Sequence, residues 1–251
     1  MERTSFNYDR HGKGYARFRR ADPRIAAFVH EALGAAKTVL NVGAGAGSYE
    51  PEDRYVLALE PSAVMRAQRS GLRAPAVIGS AGSIPLDDNA VDASMAILSV
   101  HHWPDMAAGL NEMRRVSRDR VIIVTFDPDL LNDFWNTEYF PEVVEAEKRR
   151  YPTIHFLTDA LGGRCDVQSI PVPLDCADGF QEAFYGRPEA FLDPEVRKAQ
   201  SAWGFIPQGM EPVIVKRLAD DLASGEWDRK FGHLREQPSF TCAFKLVVGY
   251  Q

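Results

Sequence analysis

The sequence has few cysteines, and their spacing gives no pattern for a metal or disulfide site. Cys165, Cys176 and Cys242 are widely separated in the 251 residues, with no CxxC pair and no histidine at ligand spacing. A structural zinc site or a disulfide framework requires a closer and more regular arrangement. We therefore expect free buried thiols in a reducing compartment, no metal, and a cytoplasmic protein.

Long apolar runs and an excess of positive charge are also missing. No apolar stretch approaches the roughly 20 residues that span a bilayer, and the first ten residues, MERTSFNYDR, lack the apolar segment of a signal peptide. The formal net charge is -6, and the most basic stretch, residues 10–20, is local: it either binds an anion or forms a solvated helix or lid. These features argue against a membrane partner and against a nucleic-acid partner.

Short apolar runs with little alternation recur in the first half of the chain. They are TVLNV (38–42), YVLAL (55–59), AVI (76–78), ASMAIL (93–98) and RVIIVTF (120–126). Such runs are typical of strands that are covered on both faces, and candidate helices at 61–70 and 104–117 lie between them. A further helix is predicted before the first run, with Asp22 as its N-cap and Gly34 at its end. The pattern predicts a βαβ series and a mostly parallel sheet.

The second half of the chain has a different pattern. Strand-like runs return at 165–173 and 239–250, whereas the segment between them is predicted to be helical. Asp193 followed by proline is typical of a helix start, and residues 211–227 carry apolar side chains at helical spacing. The simplest layout is one sheet domain that closes with the last strands and carries a helical insertion, residues 174–235.

A glycine-rich turn joins the first two strands. Gly43, Gly45 and Gly47 are spaced GxGxG, whereas a dinucleotide site has GxGxxG and a long helix whose N-terminus holds the pyrophosphate. Only SYEPEDR separates Gly47 from the next strand, and we expect Glu50 and its acidic neighbours to repel phosphates. Such glycines also occur for packing alone, but they permit a close backbone approach to a ligand.

Glu60 stands at the end of the second strand. A carboxylate at this place in a nucleotide-binding sheet accepts both hydroxyls of a ribose. The turn leaves room for a ligand, Glu60 can accept the ribose hydroxyls, and the crossover offers no phosphate-binding site. Together these features describe a nucleoside site. S-adenosylmethionine fits this description.

At these motifs the chain resembles the class I S-adenosylmethionine-dependent methyltransferases, in particular the type 11-like enzymes that act on small molecules. VLNVGAGAG (39–47) resembles the first motif of the family, LALEPS (57–62) the second, and residues 77–103 the third-to-fourth strand segment. The resemblance covers about residues 35–127. It implies an α/β fold with a doubly wound, mostly parallel seven-stranded sheet, and S-adenosylmethionine as the cofactor.

The resemblance also assigns cofactor contacts. Asn41 and Ser80 depart from the family pattern, which usually has an acid at the first position and often Asp at the second, so each would bind more weakly. An N-terminal segment folds over the cofactor in related enzymes, and we expect an arginine there to pair with the cofactor's carboxylate, with surface packing as the alternative. The predicted cofactor-binding residues are Tyr15, Arg19, Asn41, Gly43, Ala44, Gly45, Glu60, Pro61, Met65, Ser80, Ala81, Leu98 and Ser99.

Candidates for the reaction itself follow the fourth and fifth strands. His101 and His102 are the best candidates for a base or an orienting group, unless one of them packs under its loop. Asp127 either orients the substrate or caps the next helix. The far wall of the pocket is expected from aromatic residues and one arginine in the second half, namely Trp135, Tyr139, Tyr185, Arg187 and Trp203.

We therefore predict methyl transfer from S-adenosylmethionine to an oxygen or nitrogen of a small molecule, by an in-line displacement that depends mostly on positioning. A C-methyltransferase is also open. A regulatory or partner protein that binds the cofactor without catalysis is the alternative from another class, and a nicotinamide-dependent oxidoreductase is disfavoured by the short crossover. We expect a monomer or homodimer with one domain, divided into an N-terminal lid (1–34), a cofactor-binding core (35–127) and a helical substrate cap (174–235).

Overall fold

The computed structural model describes residues 7–12 and 14–251, so the first six residues of the predicted lid and Lys13 lie outside the described residues. In the described chain there are nine strands: β1 (Thr38–Val42), β2 (Tyr55–Leu59), β3 (Ala76–Val77), β4 (Val91–Ile97), β5 (Ser117–Phe126), β6 (Cys165–Ser169), β7 (Val172–Pro173), β8 (Ser239–Phe240) and β9 (Phe244–Tyr250).

Seven strands form the central sheet, in the order β3-β2-β1-β4-β5-β9-β6. The first five pair in parallel, and β9 is antiparallel to both β5 and β6. The remaining pair, β7 and β8, forms a separate two-stranded sheet. The predicted doubly wound, mostly parallel seven-stranded sheet is confirmed.

The helices of the described residues are α1 (Tyr8–His11), α2 (Tyr15–Phe18), α3 (Pro23–Ala32), α4 (Ala63–Arg66), α5 (Met106–Val116), α6 (Asn136–Tyr139), α7 (Pro141–Lys148), α8 (Ile154–Leu161), α9 (Pro194–Lys198), α10 (Met210–Ser224) and α11 (Glu226–Phe231). Short 3-10 turns lie at Val100–His102, Leu131–Asp133, Gln181–Phe184, Pro188–Leu192, Ser201–Phe205 and Gly232–Arg235. None of the helices in this described set is long and apolar enough to cross a membrane.

The core has two hydrophobic layers, one on each face of the sheet. On β5, Ile122 and Val124 belong to one layer, while Val121 and Ile123 belong to the other. This alternation follows from the two-residue period of a strand, and burial on both faces explains the continuous apolar run. Helices α3 and α7 pack on the first layer, and α5 and α8 on the second.

Several predicted boundaries are confirmed and others are wrong. Asp22 caps α3 by accepting a hydrogen bond from the Arg24 amide at 2.9 Å, as predicted. The helix predicted at 61–70 is only α4, and the one predicted at 211–227 divides into α10 and α11 at Gly225, whose φ is 78°. The run at 165–173 divides between two sheets because Pro171 has no N–H to continue the ladder.

Candidate active site

The carboxyl ends of β1, β2 and β4 enclose a cavity of about 690 Å³, which we call the main cavity. This is the size range of small-molecule sites, and this edge of an open α/β sheet is where ligands bind. Twelve of the thirteen residues predicted to bind the cofactor line it: Tyr15, Asn41, Gly43, Ala44, Gly45, Glu60, Pro61, Met65, Ser80, Ala81, Leu98 and Ser99. The structure therefore gathers residues from five separate stretches of sequence around one space.

The glycine turn has a backbone that other residues would strain. Gly43, Gly45 and Gly47 have φ values of 69°, 52° and 90°. A Cβ atom on Gly43 would lie 2.7 Å from the Cβ of Ser99, which is closer than van der Waals contact allows. The amides of Gly43 and Ala44 both donate to the Leu59 carbonyl, so the turn is fastened to the end of β2.

Glu60 connects the turn to the start of α4. Its Oε2 accepts a hydrogen bond from the Gly45 amide and its Oε1 accepts one from the Ser62 amide, both at 2.8 Å. The side chain is 7% exposed, and burial raises the pKa of its carboxyl group. A carboxylate has about four acceptor sites, so Glu60 retains two for groups in the main cavity.

Behind the turn lies a buried polar cluster. Asn41 Nδ2 donates to Glu50 Oε1 at 2.9 Å, and Arg69 Nη2 donates to both Glu50 oxygens at 3.0 and 2.9 Å. Arg69 thus offsets the charge of Glu50, one of the acidic residues expected to repel phosphates. The cluster also explains the departure from the family motif, since an acid at position 41 would face Glu50.

The N-terminal segment lies across the main cavity. Asp9 of α1 accepts hydrogen bonds from Ser62 Oγ at 2.7 Å and from the Val64 amide at 3.2 Å. Gln68 Nε2 donates to the Gly12 carbonyl at 2.8 Å. These contacts fasten α1 to α4, beside the residues predicted to hold the cofactor.

A smaller chamber of about 30 Å³ adjoins the main cavity, and we call it the inner chamber. Tyr8, Tyr15, Leu98 and His102 line both spaces. The volume admits one water molecule or one small substituent. The other residues of the inner chamber are Arg19, His101, Phe126, Glu147, Tyr151, Phe180, Gln181, Gln200 and Ser201.

The two histidines differ in their contacts. His102 Nδ1 lies 3.1 Å from Arg150 Nη2, and its Nε2 lies 2.8 Å from the Tyr8 hydroxyl. Because a guanidinium group only donates, Nδ1 accepts, and a neutral His102 then donates from Nε2 to Tyr8. His101 lines the inner chamber, and its Nδ1 has no hydrogen-bond partner in the described structure.

Both histidines are held in the neutral form. Burial, together with the positive charges of Arg150 and Arg19, places the pKa of His101 and of His102 well below the ordinary value. Burial disfavours a charged imidazolium, and nearby cations add to that effect. Each histidine is therefore a weak proton acceptor at neutral pH.

Arg19 borders the inner chamber and does not line the main cavity. Its Nε donates to Asp178 Oδ1 at 2.6 Å, while the Tyr49 hydroxyl donates to Asp178 Oδ2 at 2.7 Å. The guanidinium carbon lies 5.2 Å from the centre of the Tyr15 ring. The group predicted to bind the cofactor's carboxylate is thus paired within the protein.

Four of the five predicted substrate-binding residues lie in packed protein away from both cavities: Trp135, Tyr139, Tyr185 and Arg187. Their polar groups are bonded to protein, with the exception of Arg187 Nε. Trp135 Nε1 donates to the Tyr185 carbonyl at 2.9 Å, and Arg187 Nη2 donates to the Ala183 carbonyl at 2.8 Å. Sequence reasoning placed them at the site because aromatic residues in a core and in a ligand pocket look alike in a sequence.

The fifth residue, Trp203, lines a cavity of about 460 Å³ that we call the outer cleft. Tyr15 and Gln200 line both the outer cleft and the inner chamber. The remaining residues of the outer cleft are Arg10, Gly14, Phe18, Glu195, Arg197, Lys198, Ala199, Gly204 and Glu211. Asp127, another candidate, accepts from the Asp129 amide at 3.1 Å and caps the following turn.

Sequence reasoning missed Glu147, Arg150, Gln181 and Gln200. Glu147 belongs to a charged stretch, EAEKRR, that resembles a solvated helix face. Its spacing from Val143 and Val144 is four and three residues, which places it on their buried face of α7. That helical spacing was the available signal.

Comparison with known proteins finds methyltransferases, both by sequence and by structure. Residues 40–125 match a family described as a methyltransferase domain. An uncharacterised methyltransferase of Mycobacterium tuberculosis is 37% identical over 90 residues, which cover 34% of this chain and 37% of that protein. The chain thus matches little more than a third of the length of this curated relative.

Solved structures extend the likeness over the whole fold. A structure described as a methyltransferase from an antibiotic biosynthesis pathway of Anabaena variabilis has a TM-score of 0.84 and 29% identity, covering 92% of this chain and 98% of that one. An S-adenosylmethionine-dependent methyltransferase from Thermotoga maritima has a TM-score of 0.59 and 14% identity, with 97% of each chain covered. Geranyl diphosphate C-methyltransferase from Streptomyces coelicolor, solved with S-adenosylhomocysteine, has a TM-score of 0.51 and 16% identity, with 90% and 74% covered.

Residues 40–125 match a methyltransferase domain, and the strand order and the solved structures are similar to those of class I S-adenosylmethionine-dependent methyltransferases. S-adenosylmethionine is the cofactor of this class. The residues of the main cavity fit this group, since they combine a glycine turn with a carboxylate that has two acceptor sites to spare.

Proposed function

We propose that this protein transfers the methyl group of S-adenosylmethionine to an oxygen or nitrogen of a small molecule. The observation that supports this proposal best is that the main cavity, lined by the nucleoside-type residues, adjoins a polar inner chamber. The two spaces provide separate places for a cofactor and for an acceptor atom.

In this proposal the main cavity holds the cofactor. Glu60 accepts the ribose hydroxyls, and Ser80 and Ala81 border the adenine. The backbone of the glycine turn approaches the nucleoside closely, and Leu98 and Ser99 border the methionine portion. The bound cofactor supplies an electrophilic methyl group on sulfur, and the protein's task is to align an acceptor with it.

His102 serves as a positioning residue in this proposal. Its hydrogen bonds with Arg150 and Tyr8 occupy both ring nitrogens and fix the wall between the main cavity and the inner chamber. His101 has an unpartnered nitrogen beside the inner chamber, where it can hold the acceptor.

Turnover tests this proposal. The purified protein would be incubated with S-adenosylmethionine and a panel of hydroxyl, amine and carbon acceptors, and formation of S-adenosylhomocysteine and methylated product would be followed by mass spectrometry. We expect an O- or N-methylated product that Glu60→Ala abolishes. Glu52→Ala is the matched control, because Glu52 lies in the same crossover but is exposed. Cofactor binding without turnover of any acceptor would favour the regulatory alternative, and a methylated carbon would favour C-methylation.

A further inference from the structure

The three cavities border one another through shared side chains. Tyr15 and Gln200 connect the outer cleft to the inner chamber, and Tyr8, Leu98 and His102 help connect the inner chamber to the main cavity. The outer cleft and the main cavity therefore lie on either side of the inner chamber. The inner chamber is too small for a whole molecule, so it selects the acceptor's nucleophilic substituent.

The inner chamber carries buried polar atoms without partners in the described structure. They are Nδ1 of His101, Nε2 of Gln181, and both Nε2 and Oε1 of Gln200. Gln200 and Gln181 are 4% and 5% exposed. A buried polar group without a partner destabilises the fold, so the concentration of such groups at one chamber indicates a polar ligand.

Glu147 is the carboxylate of this chamber, and it is 9% exposed. Burial raises the pKa of its carboxyl group to about 7, more than the Gln181 side chain and the positive charges of Arg150 and Arg19 lower it. Tyr151 and Glu182 are the other titratable groups that interact with this carboxyl group. Burial has the opposite effect on the neighbouring histidines, whose pKa values are depressed. The usual order of basicity is thereby reversed, because a proton neutralises Glu147 but would create a buried cation on a histidine.

The charges around the chamber also select the acceptor. Arg19 lines the chamber, and Arg150 lies against His102, so an ammonium group would meet two cations. A neutral hydroxyl instead donates its proton to a carboxylate and accepts from an amide. Gln181 is oriented for the second task, because Asn136 Nδ2 donates to its Oε1 at 2.8 Å and leaves Nε2 beside Glu147 without a close hydrogen bond.

The outer cleft suits a flat ring. Tyr15, Phe18 and Trp203 contribute aromatic surface to it, and its volume of about 460 Å³ exceeds what one aromatic ring needs. A phenolic hydroxyl has a pKa near 10, close enough to that of Glu147 for proton transfer during the reaction.

Resting on the proposed function, we propose that the acceptor is an aryl alcohol whose ring occupies the outer cleft, whose hydroxyl enters the inner chamber, and whose proton passes to Glu147. As the hydroxyl oxygen bonds to the methyl carbon, the carbon–sulfur bond breaks, its electron pair stays on sulfur, and the hydroxyl proton moves to the carboxylate. The products are an aryl methyl ether, S-adenosylhomocysteine and protonated Glu147, which then releases its proton to solvent.

Phenol, benzylamine and toluene test this assignment, because at pH 8 they present a neutral hydroxyl, an ammonium group and a methyl group to the inner chamber. Binding of each to the protein saturated with S-adenosylhomocysteine would be measured by NMR titration at pH 8, in wild type and in Glu147→Gln. Glu145→Gln is the matched control, since Glu145 lies on the exposed face of the same helix. We expect phenol to bind most tightly and to lose roughly 10- to 100-fold in affinity in Glu147→Gln, the loss expected for a hydrogen bond to a charged group.

Activity supplies the second readout. Methyl transfer to phenol should rise with pH through about 7 in wild type and in Glu145→Gln, and this rise should be absent in Glu147→Gln. Absence of phenol binding, equal binding of phenol and toluene, equal binding of phenol to Glu147→Gln and wild type, or methylation of benzylamine in preference to phenol would each overturn the inference. Failure of S-adenosylhomocysteine to bind would instead refute the proposed function.

Discussion

Glu182 offers a quantitative test of the electrostatics around the site. It lies in the 3-10 turn Gln181–Phe184, is 2% exposed, and accepts a hydrogen bond from the Ala243 amide through Oε1 at 3.0 Å. Its Oε2 has no partner in the described structure. Burial, with a further contribution from Glu147, raises the pKa of its carboxyl group to about 8.

The raised pKa sets the sign of a pH dependence. Between the ordinary value of 4.5 and about 8, folded Glu182 keeps a proton that the unfolded chain has lost. Stability from this group is therefore fully present below pH 4.5 and is lost as the pH rises through 8. At about 1.36 kcal/mol per pH unit, the loss between pH 5 and pH 8 is about 3 to 4 kcal/mol.

Urea denaturation of wild type and Glu182→Gln at pH 5, 6, 7 and 8 measures this contribution. Glutamine preserves the oxygen that accepts from Ala243 but does not titrate. We expect the free energy of unfolding of wild type to fall by about 3 to 4 kcal/mol more than that of the variant over this range. Glu147 titrates in both proteins, so the difference between the two curves reports Glu182 together with its coupling to Glu147. Parallel curves would refute the reasoning.

Two further substitutions test the architecture of the main cavity. Asn41→Asp restores the family's usual acid, but it replaces a hydrogen-bond donor to Glu50 with a like charge. We expect denaturation to show a loss of about 1 to 3 kcal/mol in the free energy of unfolding. We also expect calorimetry to show weaker binding of S-adenosylhomocysteine. A gain in either quantity would contradict the role given to the buried cluster. Gly43→Ala should strain a backbone with φ of 69° and bring a Cβ atom against Ser99. Calorimetry should therefore show at least about tenfold weaker binding of S-adenosylhomocysteine. Unchanged affinity would refute the close approach of the glycine turn to the ligand.

Much of the fold was predictable because its signals are local. The apolar runs predict strands buried on both faces, and the cap at Asp22 and the turn at Gly43 depend on neighbours in the chain. Glu60 was recognisable for the same reason, since its place at the end of β2 follows from the strand pattern. The helix ends were less predictable because packing and single residues such as Gly225 determine them.

The inner chamber was not predictable in the same way. Glu147, Gln181 and Gln200 come from separate segments, and only the packing of the helical second half brings them together. Trp135 shows the converse error: a large aromatic residue in that half suggested a ligand wall, but it packs against Trp227 with ring centres 5.6 Å apart. Residue type does not distinguish these two uses, whereas the packing around each side chain does.

The most direct test of the central claim is calorimetric titration with S-adenosylmethionine and S-adenosylhomocysteine, for wild type, Glu60→Ala and the exposed control Glu52→Ala. Glu60 supports the turn at the Gly45 amide and retains acceptor sites toward the main cavity. We expect binding to wild type and to Glu52→Ala, and its loss in Glu60→Ala while circular dichroism shows a folded protein. A folded wild-type protein that binds neither compound, or a Glu60→Ala variant that binds both unchanged, would contradict the account.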